Sequence, residues 1–172
     1  MQRALLVALV VSMAGWAPQG CAPTGENEAG GTARPAPVAL VVYDAGETLA
    51  LLPVADRLEE SGVGVEWYPL TPWAAHLLAS NQKAFHPLPD GIEGMPHTRE
   101  REGVAQTGYW EAALARGPPR LVVSGMVSAV QGALSARLRE RGLPTRGIYD
   151  GFQPPQASSI GFRTAGDFDE VW

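Results

Sequence analysis

The 172-residue chain contains a single cysteine, Cys21, and no cluster of lysine and arginine residues. A lone thiol cannot form an internal disulfide. The net charge of −5, with both signs dispersed, offers no basic surface for phosphates, so we expect no nucleic-acid partner. The chain also lacks the Gly-x-Gly-x-x-Gly and Gly-Lys-Ser/Thr motifs. No nucleotide site is therefore specifically indicated, and we expect no cofactor.

The N-terminal apolar run, Ala4 to Trp16, is too short to span a bilayer well, because a spanning helix needs roughly 20 apolar residues. Its basic start at Arg3 and the turn-forming residues before Cys21 are typical of an export signal. Cys21 lies where a bacterial lipoprotein signal places the lipid-receiving residue, although Pro18 stands where Leu is usual. We expect an exported protein, anchored to the membrane and facing the periplasm or cell exterior. An ordinary signal peptide or an uncleaved anchor stays an alternative.

The composition changes sharply after the signal. Residues 22–36 are rich in Gly, Pro and polar residues, which is typical of a flexible tether. Hydrophobic residues make up 45% of the whole chain, which is enough apolar material for a core. We therefore predict a signal over 1–21, a tether over 22–36 and a single α/β domain over 37–172. The abrupt end at Val171-Trp172 also allows the domain to be a truncated fragment of a longer gene.

Within this domain, apolar β-branched runs alternate with segments of helical periodicity. Strands are predicted at Val38–Tyr43, Val63–Tyr68, Arg120–Val123 and Thr145–Tyr149, with the start of another at 168–172. Helices are predicted at Glu47–Ser61, from Thr71-Pro72 to Leu78, at Val104–Arg116 and at Val127–Arg141. Pro53 should mark a kink or a late start of the first helix. This alternation predicts a three-layer α/β fold, a mostly parallel doubly wound sheet with helices on both faces.

Three predicted loops follow strands of this sheet and should meet at its carboxyl edge, where such sheets bind ligands. Glycines there let a ligand approach the backbone, and acidic and hydroxyl side chains supply polar contacts. The candidate ligand-binding residues are Asp44, Gly46, Glu47, Ser124, Gly125, Ser128 and Asp150. Glu47 is also the candidate catalytic residue. Tight strand-to-helix turns need the same residue types, so a purely structural role stays open.

Other chemistry is less well supported. Two histidines and two acidic residues fall in a predicted long loop: His86, His97, Asp90 and Glu93. Their spacing fits no zinc pattern, so we expect no metal. Ser124 lacks the flanking glycines of Gly-x-Ser-x-Gly, which argues against a serine hydrolase. Five aromatic residues either line a sugar-binding cleft or fill the core: Trp67, Tyr68, Trp73, Tyr109 and Trp110.

Two segments carry a family resemblance. Gly46-Glu47-Thr48-Leu49-Ala50-Leu51-Leu52-Pro53-Val54 resembles the opening loop and helix of two-domain nucleotide-sugar enzymes. These are the glycosyltransferases of the GT-B fold and the related UDP-N-acetylglucosamine 2-epimerases. The stretch from Val122-Val123-Ser124-Gly125 to Tyr149-Asp150-Gly151 is similar to the last strand-helix-strand unit of their N-terminal domain. The resemblance implies a Rossmann-like half of a GT-B fold and would explain Pro53 within a helix.

The resemblance also has departures. Gly125-Met126-Val127 stands where the epimerases carry Gly-Asp-Thr, and Glu47 stands where glycosyltransferases often place a His. The family binds its nucleotide-sugar mainly through a second domain, and this chain ends where that domain would begin. We therefore weigh two functions. One is a lipid-anchored α/β binding module for a small polar or sugar-like ligand or a partner protein. The alternative is a glycosyltransferase-like or epimerase-like enzyme with Glu47 as base, or a truncated remnant of one.

Overall fold

The computed structural model describes residues 35–89, 107–149 and 165–172, and Ala36–Trp172 form one compact unit. The described strands are β1 (Val38–Val42), β2 (Val65–Pro69), β3 (Leu121–Gly125), β4 (Thr145–Ile148) and β5 (Glu170–Val171). The described α-helices are α1 (Ala45–Glu60), α2 (Pro72–Ser80), α3 (Thr107–Arg116) and α4 (Ala129–Glu140), and a 3-10 turn covers Ala165–Asp167. None of these helices is long and apolar enough to cross a membrane.

The five strands form one sheet in the order β2-β1-β3-β4-β5, and every neighbouring pair is parallel. In β1, Val38 lies opposite Val65 of β2 and opposite Leu121 of β3. The chain therefore winds outward from β1 in both directions. This topology confirms the predicted doubly wound parallel sheet.

Strand β1 lies inside the sheet, and all five of its residues are buried. Ala39 and Val41 face a cluster that includes Trp110 of α3 and Leu134 of α4. The alternate residues of β1 point to the opposite face and are also buried, where α1 and α2 pack against each other and against the sheet. Helices cover both faces, which is why a continuous apolar run correctly predicts the central strand.

Helix α1 begins earlier than predicted, because Asp44 caps its first turn. The Asp44 side chain accepts a hydrogen bond from the backbone N–H of Glu47, and the helix runs from Ala45 through Pro53 to Glu60. Of the two alternatives predicted for Pro53, a kink or a late start of the helix, the late start is therefore wrong. Pro53 lies on the exposed side of α1, so its ring meets solvent and not the sheet.

The four strands predicted before residue 150 all differ from the structure by one or two residues at an end, and the C-terminal ends of β2 and β3 are the ones that extend beyond the prediction. Strand β2 includes Pro69, whereas the predicted strand ended at Tyr68. Proline has no backbone N–H, but β2 lies at the edge of the described sheet, and position 69 faces away from β1. Pro69 therefore removes no hydrogen bond between the two strands. Strand β3 continues through Ser124 to Gly125. Ser124 and Gly125, which were predicted to lie in the loop after β3, thus belong to the strand and are held by the sheet.

The C-terminal strand β5 pairs with β4 through backbone hydrogen bonds, and side chains of β4 and α4 add to this attachment. Arg146 of β4 forms an ion pair with Glu170 at 2.8 Å, and its guanidinium lies 5.7 Å from the ring centroid of Trp172. Asp169 accepts hydrogen bonds from the backbone N–H of Thr145 at 2.7 Å and from Arg139 at 3.0 Å. These contacts explain how a two-residue strand is held in place.

The Asp169 link should make stability depend on pH. Burial by itself raises the pKa of Asp169, but the hydrogen bonds from Thr145 and Arg139 outweigh it, so the pKa lies below the ordinary 3.8. A lowered pKa in the folded state adds stability above the unfolded pKa, and this contribution is lost as the pH falls through the folded value. Because Asp169 is partly exposed, we expect Asp169→Asn to cost only about 1 kcal/mol at pH 7.

Urea unfolding of the wild type and Asp169→Asn at several pH values measures this contribution. The difference in unfolding free energy between the two proteins should shrink as the pH falls below about 4. A difference that stays constant down to pH 2 would show that the Asp169 carboxylate charge is not what holds β5.

Candidate functional site

The strand order places a topological switch point between β1 and β3. From β1 the chain crosses to β2 on one side, and from β3 it crosses to β4 on the other. The two following helices, α1 and α4, therefore leave the sheet in opposite directions and open a crevice at its carboxyl edge. The loops after β1 and β3 form its two sides, so two of the three predicted loops do meet.

The loop after β1 is tied to the loop after β2. The hydroxyl of Thr71 donates a 2.6 Å hydrogen bond to the backbone carbonyl of Tyr43 and accepts one from the N–H of Ala74. Thr71 is also the N-cap of α2, with Pro72 at the first helical position, as the sequence predicts. One buried hydroxyl thus fixes both the β1 loop and the start of α2.

The loop after β3 is closed by a capping box. The Ser128 hydroxyl accepts from the backbone N–H of Gln131, while the Gln131 side-chain oxygen accepts from the backbone N–H groups of Val127 and Ser128 at 3.0 and 3.1 Å. Ser128 and Gln131 are both fully buried. The Ser128 side chain is therefore used to start α4.

Glu47 lies between these two loops. Its Oε2 accepts a 2.9 Å hydrogen bond from the backbone N–H of Tyr43 and a 2.8 Å hydrogen bond from Nε2 of Gln131. Only 2% of Glu47 is exposed. A carboxylate on α1 is thus bonded to an amide on α4, across the switch point.

Gly125 leaves the room that the Glu47 carboxylate occupies. A Cβ at position 125 would overlap Oε1 and Cδ of Glu47. Every larger residue at this position would therefore displace the carboxylate. The glycine predicted as an approach point for a ligand is in this structure an approach point for the protein's own side chain.

A pocket of about 350 Å³ opens above this arrangement. Its lining residues come from the β1 loop, the first turn of α1, the β3 loop and the start of α2; they are Tyr43, Asp44, Ala45, Gly46, Trp73 and Val127. We call this the switch-point pocket. Trp73 is 51% exposed, and its indole stacks on His76 with ring centroids 5.9 Å apart. The pocket lining thus combines an exposed aromatic side chain with the polar residue Asp44.

The structure divides the predicted ligand-binding residues into three groups. Asp44 and Gly46 line the pocket, while Glu47, Ser124, Gly125 and Ser128 are buried next to it. Asp150 lies outside the described residues. The catalytic role of Glu47 stays a prediction.

Gln131 was not predicted as a site residue, and Trp73 was not distinguished from the other aromatic residues. The capping-box pattern of Ser128 followed three residues later by Gln131 could have indicated the first. Nothing in the local sequence indicates that Gln131 also reaches Glu47, 84 residues away.

The five aromatic candidates separate by burial. Trp67, Tyr68 and Trp110 are at most 2% exposed and belong to the interior. Tyr109 is partly buried, and its hydroxyl donates to the carbonyl of Pro87 at 3.0 Å. Trp73 alone among the five lines the switch-point pocket.

His86, one of the metal candidates, is bonded at the outer edge of β2. Its ring stacks on Tyr68 at 4.1 Å, and its Nε2 lies 3.2 Å from Oε2 of Glu66. The same Glu66 oxygen accepts from the Tyr68 hydroxyl, and burial together with this hydrogen bond raises the pKa of Tyr68 well above its usual value. Among the described residues, no group of three His, Cys, Asp or Glu side chains is placed to hold a metal ion. His97, Asp90 and Glu93 lie outside the described residues.

No protein-family model matches the chain, and no curated protein matches it. Solved structures do. UDP-GlcNAc 2-epimerase from Neisseria meningitidis, bound to UDP-GlcNAc, aligns with a TM-score of 0.62 at 14% identity, over 78% of this chain and 39% of its own. MurG from Acinetobacter baumannii aligns at 0.60 and 15% identity, over 78% and 40%.

The glycosyltransferase SsfS6 from Streptomyces sp. SF2575 aligns with a TM-score of 0.52 at 15% identity, over 77% of this chain and 44% of its own. The chain thus spans less than half the length of these structures. Identities this low establish the fold alone. They confirm the resemblance stated from the sequence: this domain has the Rossmann-like architecture of one half of a GT-B fold.

Proposed function

We propose that this domain binds a sugar-containing ligand in the switch-point pocket. The observation that carries the proposal is the exposed Trp73 indole on the wall of a pocket at the sheet position where doubly wound folds bind ligands. The C–H bonds on one side of a pyranose ring pack against an aromatic face. The hydroxyl groups on the ring edge then need polar partners.

The β1 loop supplies such partners. Asp44, Ala45 and Gly46 line the pocket, and Gly46 has no side chain to block access. The pocket volume of about 350 Å³ lies at the low end of the range for small-molecule sites, which suits one monosaccharide unit more than an entire nucleotide-sugar. The neighbouring folds are found in glycosyltransferases and epimerases, which is consistent with a sugar ligand.

Trp73→Ala tests whether a sugar ring stacks on the Trp73 indole. Loss of one aromatic stacking contact should weaken binding of N-acetylglucosamine about fivefold, because such contacts contribute on the order of 1 kcal/mol beyond area burial. Isothermal titration of the full chain with N-acetylglucosamine, UDP and UDP-N-acetylglucosamine measures it.

Leu49→Ala is the matched control, because Leu49 is also 51% exposed but lies outside the pocket lining. It should bind like the wild type. Failure of all three compounds to bind, or equal affinity in Trp73→Ala, would contradict the proposal.

We also propose that the domain acts as an exported, lipid-anchored binding module. The support is the sequence of residues 1–36, with its apolar run, Cys21 and tether. Mass spectrometry of the mature protein should find Cys21 at the N-terminus with the added mass of a lipid. An unmodified Cys21 in an uncleaved chain would rule out this anchor.

The enzyme alternative is favoured by the structural neighbours, which are glycosyltransferases and epimerases. In that case Glu47 acts as general base, and removal of a base lowers turnover by roughly 10²–10⁴-fold. Conversion of UDP-N-acetylglucosamine by the full chain, lost in Glu47→Gln, would support the alternative. No conversion by the wild type would leave the binding module as the function.

A further inference from the structure

The two sides of the switch-point pocket are connected by a buried chain of hydrogen bonds. On the β1 side, the backbone N–H of Tyr43 donates to Oε2 of Glu47. Nε2 of Gln131 donates to the same oxygen, and Oε1 of Gln131 accepts from Val127 and Ser128 on the β3 side. Tyr43 and Val127 both line the pocket. The connection therefore begins and ends at the pocket wall.

This connection lies out of contact with water. Gln131 is 0% exposed and Glu47 is 2% exposed. A hydrogen bond lost in such a place is not replaced by one to solvent, so each group restrains its neighbour strongly. The Gln131 amide is hydrogen-bonded to both sides of the pocket. Its nitrogen donates to Glu47 on α1, and its oxygen accepts from the β3 loop. Motion of either loop must disturb the other.

We propose that Glu47 and Gln131 are positioning residues that fix the distance between the β1 and β3 loops and so couple the two walls of the pocket. This inference rests on the proposed function, because it concerns the same pocket. In this role Glu47 affects the pocket indirectly, through its hydrogen bonds with Gln131 and with the backbone N–H of Tyr43. The roles of base and positioning residue predict different consequences for the same substitution.

Gln131→Glu breaks the connection at one bond only. Glutamate keeps the oxygen that accepts from Val127 and Ser128, and it is equally suited to the capping box. It replaces the donor facing Glu47 by an acceptor, and two carboxylates at this distance repel each other. Gln131→Leu is the matched comparison, because it removes both ends of the amide.

Amide hydrogen exchange of the full chain above pH 7 tests the coupling without any ligand. In Gln131→Glu the Tyr43 amide should exchange about tenfold faster than in the wild type. The Val127 and Ser128 amides should stay protected in this variant even though the bond to Glu47 is lost, because the new carboxylate accepts their hydrogen bonds more strongly than the amide oxygen that it replaces. In Gln131→Leu all three should exchange faster. The Leu40 amide, in the centre of β1, reports global opening and should not change in Gln131→Glu.

Substitutions of Glu47 test the same coupling from the β1 side. Glu47→Gln keeps an acceptor oxygen beside Tyr43 and Gln131, so it should preserve the protection that Glu47→Leu removes from Tyr43. In Glu47→Leu the Val127 and Ser128 amides should also exchange faster, because both are hydrogen-bonded to Gln131, which loses its partner on α1 and keeps only an uncharged amide oxygen. This variant keeps the test available if Gln131→Glu does not fold.

Two results would overturn the coupling. One is an unchanged exchange rate of the Tyr43 amide in folded Gln131→Glu. The other is an unchanged exchange rate of the Val127 and Ser128 amides in folded Glu47→Leu. A merely structural role would speed Leu40 together with the loop amides and would equally overturn it. Failure of sugars to bind in the titrations above would remove the proposed function and leave these exchange results unaffected. The two proposals can therefore fail separately.

Discussion

Gly125→Ala should lower the free energy of unfolding by about 3 kcal/mol, because the new methyl group would occupy the space of the Glu47 carboxylate. The side chain of Glu47 can only make room by leaving the Tyr43 N–H and the Gln131 amide. Both donors are in a buried region, so their loss is not offset by water. Urea unfolding of the wild type and the variant measures the difference.

A double-mutant cycle with Glu47→Ala separates this mechanism from ordinary overpacking. Without the carboxylate, the alanine at position 125 has space, so the cost of Gly125→Ala should fall by about 1–3 kcal/mol in the Glu47→Ala background. Gly108→Ala is the control, since a Cβ at Gly108 of α3 would meet no atom within 4 Å. It should not lower stability. Additive effects of Gly125→Ala and Glu47→Ala would contradict the proposed steric conflict.

Thr71→Val should cost about 2 kcal/mol of stability and also weaken binding at the switch-point pocket. The substitution keeps the shape but removes the hydroxyl that caps α2 and donates to the carbonyl of Tyr43. The first turn of α2 carries Trp73, so loss of the cap should loosen the indole as well as the β1 loop. Urea unfolding and titration with N-acetylglucosamine measure the two effects.

Thr71→Ser is the corresponding conservative variant. Serine is also a good N-cap and keeps the donor, so stability should stay within about 0.5–1 kcal/mol of the wild type. A Thr71→Val protein as stable as Thr71→Ser would show that the 2.6 Å bond to Tyr43 contributes little.

Several local features could be predicted because their causes lie within a few residues. The apolar run Val38–Val42 predicts a strand buried on both faces, and Thr71 with Pro72 predicts the start of α2. The structure confirms both. The start of α1 was predicted two residues too late, because Asp44-Ala45-Gly46 was interpreted as the turn that ends the strand, whereas Asp44 caps a helix that begins at Ala45.

The site could be predicted only in part. The loops after β1 and β3 were expected to meet, and they do, because parallel strands place their carboxyl ends at one edge. Which side chains face a ligand was not predictable. Ser124 and Ser128 are polar residues in the expected loops, yet both are at most 1% exposed. The direction of a side chain at a strand end depends on where the strand stops, and β3 continues to Gly125.

The sequence by itself determined the fold class, because alternation of apolar strands and amphipathic helices leaves few ways to bury both faces of a sheet. Only the tertiary structure decided that Gln131 reaches Glu47, that Gly125 makes room for it, and that Trp73 and not Trp67 or Trp110 stands at the pocket. These contacts join residues far apart in the chain. Local patterns set which face of a helix or strand is apolar, whereas packing of whole elements sets which side chains meet.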